Sequence, residues 1–161
     1  MSRQTPHFPC QINLVAHRTP EYEALVALRH EVLRRPLGRT FTPEQLAAES
    51  GSYHVGCDCE GVLVGCLVLL PLPERRIQMR QVAVREDWQG RGVGRALVDW
   101  AEEFARDMGF GVIVLHAREL AVGFYEALKY QKRGACFWEV GLPHWEMTKT
   151  LGLNNSPNES L

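Results

Sequence analysis

The segment Arg80 to Asp107, RQVAVREDWQGRGVGRALVDWAEEFARD, constrains the fold more than any other stretch. It starts as an extended apolar run. It then passes Gly90, Gly92 and Gly94 and continues with apolar residues every three or four positions, the period of a helix. The helix places Val93, Ala96, Leu97, Trp100, Ala101, Phe104 and Met108 on one stripe. Gly109 ends it as a left-handed cap. The first turn of any helix carries N–H groups without helical partners, and the helix dipole adds positive potential there. Glycine lets an anion approach that backbone without a Cβ in the way. Arg91 and Arg95 add charge at the same place. A turn that serves only chain reversal and close helix packing explains the same glycines. Two phosphate loops are excluded by spelling. A P-loop needs Lys followed by Ser or Thr after its glycines. A dinucleotide fingerprint needs its last glycine where Arg95 or Leu97 stands.

The flanking sequence supplies the rest of an α/β order. Cys10 to Ala16 is a predicted strand. Thr19 and Pro20 open a helix through Tyr22, Leu25, Leu28 and Val32, which Pro36-Leu37-Gly38 breaks. Thr42-Pro43 opens a short second helix. SYHVGCDC and VLVGCLVLL flank Glu60-Gly61, a link suited to a hairpin. Arg75 to Val84 is the fourth strand, Gly111 to Ala117 the fifth, and Glu119 to Leu128 a short helix. Strands around Ala135 to Val140 and Trp145 to Leu151 close the order β-α-α-β-β-β-α-β-α-β-β. This is a mixed, mostly antiparallel sheet flanked by helices, with a parallel crossover between Arg75 and Ala117. One domain over residues 10–151 is expected, with 1–9 and 152–161 as flexible termini. The charges Arg29, Glu31 and Arg34 on the first helix are expected on its wet face.

Composition narrows the class. The 161 residues are 45% hydrophobic and 23% charged, with a net charge of −1. That balance is globular and supplies no global attraction for nucleic acid or an anionic membrane. No apolar run reaches the ~20 residues that span a bilayer. MSRQTPHFPC has no apolar signal core, so a cytoplasmic location is expected. Of the five cysteines, Cys57 and Cys59 form C-x-C in a strand and are expected as buried, reduced thiols rather than metal ligands.

Gln89, Gly92 and Gly94 spell Q/R-x-x-G-x-G/A directly after the strand RQVAV. ELAVGFYEALKY follows the fifth strand, and FWEVGLPHWEMTKTL closes the chain. In these segments, in this order, the chain resembles the GNAT superfamily of N-acetyltransferases, in its small bacterial form. The resemblance implies a GNAT-like sheet with strands four and five splayed and acetyl-CoA as co-substrate. It implies that main chain around Val82, Ala83 and Val84 pairs with the pantetheine arm. The pyrophosphate would sit on the amides of Gln89, Gly90, Arg91, Gly92, Val93 and Gly94, with Arg95 nearby. Tyr125 would protonate the departing thiolate; a phenol near pKa 10 can donate to a thiolate whose acid is near 8.5.

The acceptor implied is a primary amine, preferably of a small molecule. An amine of pKa near 10.4 arrives protonated and needs a base. His116, Glu139 and His144 are the candidates, although a strand histidine and two loop residues also suit purely structural roles. Their spacing matches no standard metal pattern, and none is expected. Two positions depart from the family pattern. Arg118 stands seven residues before Tyr125, where an Asn is common, and Lys129 stands where a glycine normally ends the helix. The chemistry implied is direct attack by the amine, without an acyl-enzyme. The alternative is a non-catalytic acyl-CoA-binding sensor or docking module on the same fold. Nucleic-acid and membrane partners are not expected; a homodimer, common in the family, is compatible.

Overall fold

The computed structural model describes residues 9–152. Seven strands form one sheet: β1 (Cys10–Val15), β2 (Tyr53–Cys59), β3 (Val62–Leu72), β4 (Arg76–Val84), β5 (Val112–Arg118), β6 (Gln131–Glu139) and β7 (Leu142–Thr150). Their order is β1-β2-β3-β4-β5-β7-β6. The helices are α1 (Pro20–Arg29), α2 (Pro43–Ala47), α3 (Val93–Asp107) and α4 (Val122–Ala127). The β4–β5 pair is parallel, whereas β1–β2, β5–β7 and β6–β7 are antiparallel. This is the mixed sheet expected from the sequence. The described residues pack as two compact units, one of residues 9–68 and 81–97, the other of 69–80 and 98–152.

In the first unit, local chemistry sets the helix ends. The Thr19 hydroxyl accepts from the Tyr22 amide, with Pro20 at the first helical position. Thr42 and Gln45 form a reciprocal capping box on α2. Glu60 (φ 53°) and Gly61 (φ 80°) are both left-handed, as a two-residue hairpin turn demands. The core gathers Leu25, Leu28, Cys66 and Ala83, with Val15, Val32, Leu33 and Leu63 around it.

Two expectations fail in this unit. Arg29 is not on a wet face; it is 1% exposed. It lies seven residues after Tyr22 and four after Leu25, so helical geometry puts it on the buried stripe. Its guanidinium donates to both Glu49 oxygens, at 2.9 and 2.6 Å, and the Tyr22 hydroxyl donates to Glu49 at 2.8 Å. His54 Nε2 lies 3.0 Å from the Glu49 carbonyl, which can only accept, so Nε2 carries the proton. Burial works against the Glu49 charge, but Arg29 outweighs it and holds the carboxyl below its ordinary range. Burial pushes the His54 pKa down, keeping the ring neutral. Glu31 does lie on the wet face, paired with Arg35. Arg34 stacks on Phe41 at 4.7 Å, and Arg29 on the same ring at 4.6 Å.

The second failure concerns the thiols. Cys57 and Cys59 are buried as expected, but Cys59 is not reduced. The β1–β2 register sets Cys10 directly opposite it, and the two form a disulfide. Cys57 stays a free thiol, with its pKa pushed up to about 11 by burial and by Asp58.

In the second unit, the parallel ladder runs from Arg76–Val112 to Met79–Leu115 and stops. Two residues past Met79, Gln81 takes a left-handed φ of 54° inside β4. A left-handed residue interrupts regular strand geometry. The α3 stripe is rotated from the predicted one. Val93, Leu97 and Ala101 are buried, but so are Val98, Glu102 and Ala105. Trp100 and Phe104 stack on each other at its flank, at 5.3 Å, and Met108 is exposed. Glu102 is buried with its charge partnered. It accepts from Tyr130 Oη at 3.0 Å and from Lys149 Nζ at 2.8 Å.

Both α3 and α4 end in the same double hydrogen bond. Phe110 N donates to Ala105 O and Gly109 N to Arg106 O; Tyr130 N donates to Tyr125 O and Lys129 N to Glu126 O. The left-handed residue is Gly109 (φ 86°) in one and Lys129 (φ 75°) in the other. The helix thus ends where a glycine would end it, and lysine carries the strain.

Candidate active site

The glycine loop belongs to the first unit. Gly90 (φ 77°) and Gly92 (φ 87°) are left-handed, and the space beside each is open. Glycine is required there by backbone conformation and not by crowding. Gln89 donates from Nε2 to the Val84 carbonyl at 3.0 Å, tying the loop back to β4. The Arg91 guanidinium lies over Trp88, 4.8 Å from the ring centroid. The first helical hydrogen bond runs from Ala96 N to Gly92 O, so the amides of Val93, Gly94 and Arg95 have no partner inside the helix. The start of α3 is seated by Gly65 on β3. A Cβ at Gly65 would lie 2.8 Å from Val93 and 2.9 Å from Leu97. Ala83 faces the core, whereas Val82 and Val84 alternate with it and are half-buried. Orphan amides, an open approach and nearby arginines fit a pyrophosphate.

The proton-transfer candidates belong to the second unit, where strand register brings all three together. Arg118 pairs with His144 and His116 with Glu146 across β5–β7; Phe137 pairs with His144 and Glu139 with Leu142 across β6–β7. Paired residues and residues two apart share a face. His116, Glu139 and His144 therefore converge from three strands. Val140 (φ 47°) and Gly141 (φ 74°) make the tight turn that fixes the β6–β7 register at this end.

The hydrogen bonds assign the tautomers. His144 Nδ1 lies 2.9 Å from the Leu142 carbonyl, so Nδ1 carries the proton. Its Nε2 is the bare nitrogen, 3.7 Å from Glu139 Oε2. His116 Nδ1 lies 3.3 Å from Glu139 Oε1, and an ionised carboxylate accepts from it. That leaves His116 Nε2 as a bare nitrogen too. His144 is 4% exposed and His116 is 32% exposed, so His116 is the one a substrate can reach. The carboxylate can stabilise a proton on either ring.

Tyr125, on α4, is buried, and burial alone raises its pKa well above the ordinary phenol range. It stays protonated, as a general acid must. Its ring meets Tyr130 edge-on at 5.7 Å, and Tyr130 is itself anchored on Glu102. Lys149 donates to the Leu128 carbonyl at 2.9 Å, bracing the end of α4.

Sequence reasoning did not name Phe137. Its ring meets His116 edge-on at 5.0 Å and stacks on His144 at 6.0 Å. Its position two residues before Glu139 on a strand was the available signal. Arg118, left without a role, is close enough to Glu139 for their charges to interact; burial lowers its pKa and Glu139 opposes that.

The fold has counterparts among known proteins. Residues 17–130 match the acetyltransferase (GNAT) family, and the chain belongs to that family. Human N-acetyltransferase 8B is 33% identical over 101 residues, covering 58% of this chain and 44% of that protein. The chain spans about half the length of the curated relatives it matches. A Lactobacillus plantarum protein assigned as an N-acetyltransferase superposes with a TM-score of 0.77 at 26% identity, covering 88% of this chain and 98% of that one. An aminoglycoside 6′-N-acetyltransferase complexed with coenzyme A shares the fold, with a TM-score of 0.74, 17% identity, and coverage of 91% and 99%. Among the described residues, no helix is long and apolar enough to cross a membrane.

Proposed function

We propose that this chain is an acetyl-CoA-dependent N-acetyltransferase whose acceptor is a primary amine of a small molecule, acting in the cytoplasm. The observation that carries the reading is the contact between His116 Nδ1 and Glu139 Oε1, with the ring half-exposed. It is the base-and-orienter arrangement that proton abstraction needs. The family relationship, the glycine loop and the coenzyme A complex of a structural neighbour support the donor.

The donor supplies the activated thioester. The amides of Val93, Gly94 and Arg95, with Arg91 and Arg95, hold its pyrophosphate, and main chain from Val82 to Val84 orients its amide arm. His116 Nε2 takes the proton from the ammonium form of the acceptor. Glu139 holds Nδ1–H and stabilises the imidazolium, while His144, its Nδ1–H held by Leu142, keeps a bare Nε2 beside the other carboxylate oxygen as a second place for the proton. Tyr125 delivers its proton to the leaving sulfur.

Thiol release from acetyl-CoA in the presence of an amine panel tests this reading. Turnover should fall ~10²–10⁴-fold in Tyr125→Phe with acetyl-CoA affinity kept, the range expected when a general acid is lost. Acetyl-CoA binding with no turnover on any amine would instead favour the sensor or docking module.

A further inference from the structure

Three cysteines meet in the first unit, outside the site just described. Cys10 stands opposite Cys59, and Cys57, two residues earlier on β2, shares its face. Their sulfurs all lie within 4.8 Å of one another. Cys57 and Cys59 are buried, and Cys10 is half-buried at the start of β1, the first strand in the sheet order. A disulfide uses only two of them, and the third lies close enough to complete a different structure.

Three sulfurs bound at ~2.3 Å to one ion sit ~4 Å apart, so the cluster needs only small side-chain adjustments to close on a cation. Among the described residues, no His, Asp, Glu or fourth Cys joins the group. Zinc in a structural site takes four ligands, whereas thiolates select soft ions such as Cu(I), which accepts three. We propose that the reduced Cys10, Cys57 and Cys59 form a three-thiolate site for one thiophilic cation, Cu(I) ahead of Zn(II). The disulfide and the metal complex are then mutually exclusive states of one cluster. A dithiol reductant passes two electrons and two protons to the Cys10–Cys59 bond and is itself oxidised to a disulfide. Cu(I) then displaces the three thiol protons to solvent, with no change in its oxidation state. In a reducing compartment the thiol state predominates, so the site is available in the location proposed above.

The test uses the full chain carrying Cys136→Ser, which removes the exposed free thiol. After reduction with dithiothreitol and anaerobic desalting, it is titrated with Cu(I) against bicinchoninate, and separately with Zn(II). One Cu(I) per chain should bind, with X-ray absorption reading three sulfur neighbours. Cys10→Ser should weaken binding at least tenfold, and the oxidised chain should bind none. Cys57→Ser alters the core and can fail to fold; the absorption measurement does not depend on it. The proposal is overturned if the reduced chain takes no Cu(I) from the competitor, or if Cys10→Ser binds it unchanged. It is equally overturned by two sulfur neighbours or by tighter binding of Zn(II).

Discussion

Two carboxylates that each meet two or more polar partners, Glu49 and Glu139, are built in opposite ways. Glu49 is nearly buried. Arg29 grips both its oxygens at 2.9 and 2.6 Å, and Tyr22 adds a third bond at 2.8 Å. Glu139 is about half-exposed, and its contacts with His116 and His144 are longer, 3.3 and 3.7 Å. A saturated, dry carboxylate has no capacity left for a substrate; it fixes α1 to the segment before β2. A loosely held carboxylate between the Nδ1–H of His116 and the bare Nε2 of His144 can gain and lose a proton neighbour without disturbing the fold. Saturation and burial mark the structural pair, and incomplete contacts with access mark the chemical one.

Several substitutions would break or sharpen this contrast. The largest effect is expected on stability from Arg29→Ala. It strands a buried charge, and breaking one side of such a pair costs ~3–5 kcal/mol, a large part of the stability of a typical domain. Chemical denaturation would read it as a lower midpoint. His116→Gln should act the other way round. Turnover in a thiol-release assay should fall ~10²–10⁴-fold, while stability stays within ~0.5 kcal/mol, as for a surface change.

Acid should weaken the buried cluster in two steps. The folded-state pKa of His54 lies below its ordinary 6.5, so the unfolded chain binds the proton first and stability starts to fall as pH drops through about that value. The Glu49 pKa is also depressed, from 4.5, so its contribution is present above that value and is lost below it. Melting temperature against pH should therefore decline from near 6.5 and again below 4.5. In His54→Gln the first decline should be absent. The smallest effect is a gain. Lys129→Gly relieves a left-handed lysine at φ 75° and should stabilise by ~1 kcal/mol. The corresponding change at Gly109, to Lys, should destabilise by a similar amount, since both positions serve the same helix-end motif.

Much of the backbone was legible because its signals are local. Thr19, Thr42, Glu60-Gly61 and Gly109 each act within a turn, and each does what its sequence context implies. The glycine loop was legible for the same reason. What was not legible depends on register and on partners far along the chain. Arg29 looks like any helix charge until Glu49, twenty residues on, is placed beside it. The partner of Cys59 is set by β1–β2 pairing, which no composition rule fixes. His116, Glu139 and His144 could be nominated singly, but their meeting rests on a β5-β7-β6 order with β7 in the middle. Glu102, buried in α3, likewise has its partner Lys149 forty-seven residues away.

The measurement that tests the contrast most directly pairs Glu139→Gln with Glu49→Gln, reading kcat/KM by thiol release and the melting temperature of each. Glu139→Gln should lose at least ~10²-fold in kcat/KM with a melting temperature like the wild type. Glu49→Gln should melt markedly lower while its folded fraction keeps its activity. Wild-type turnover in Glu139→Gln would contradict the account and leave the His116–Glu139 contact as packing alone.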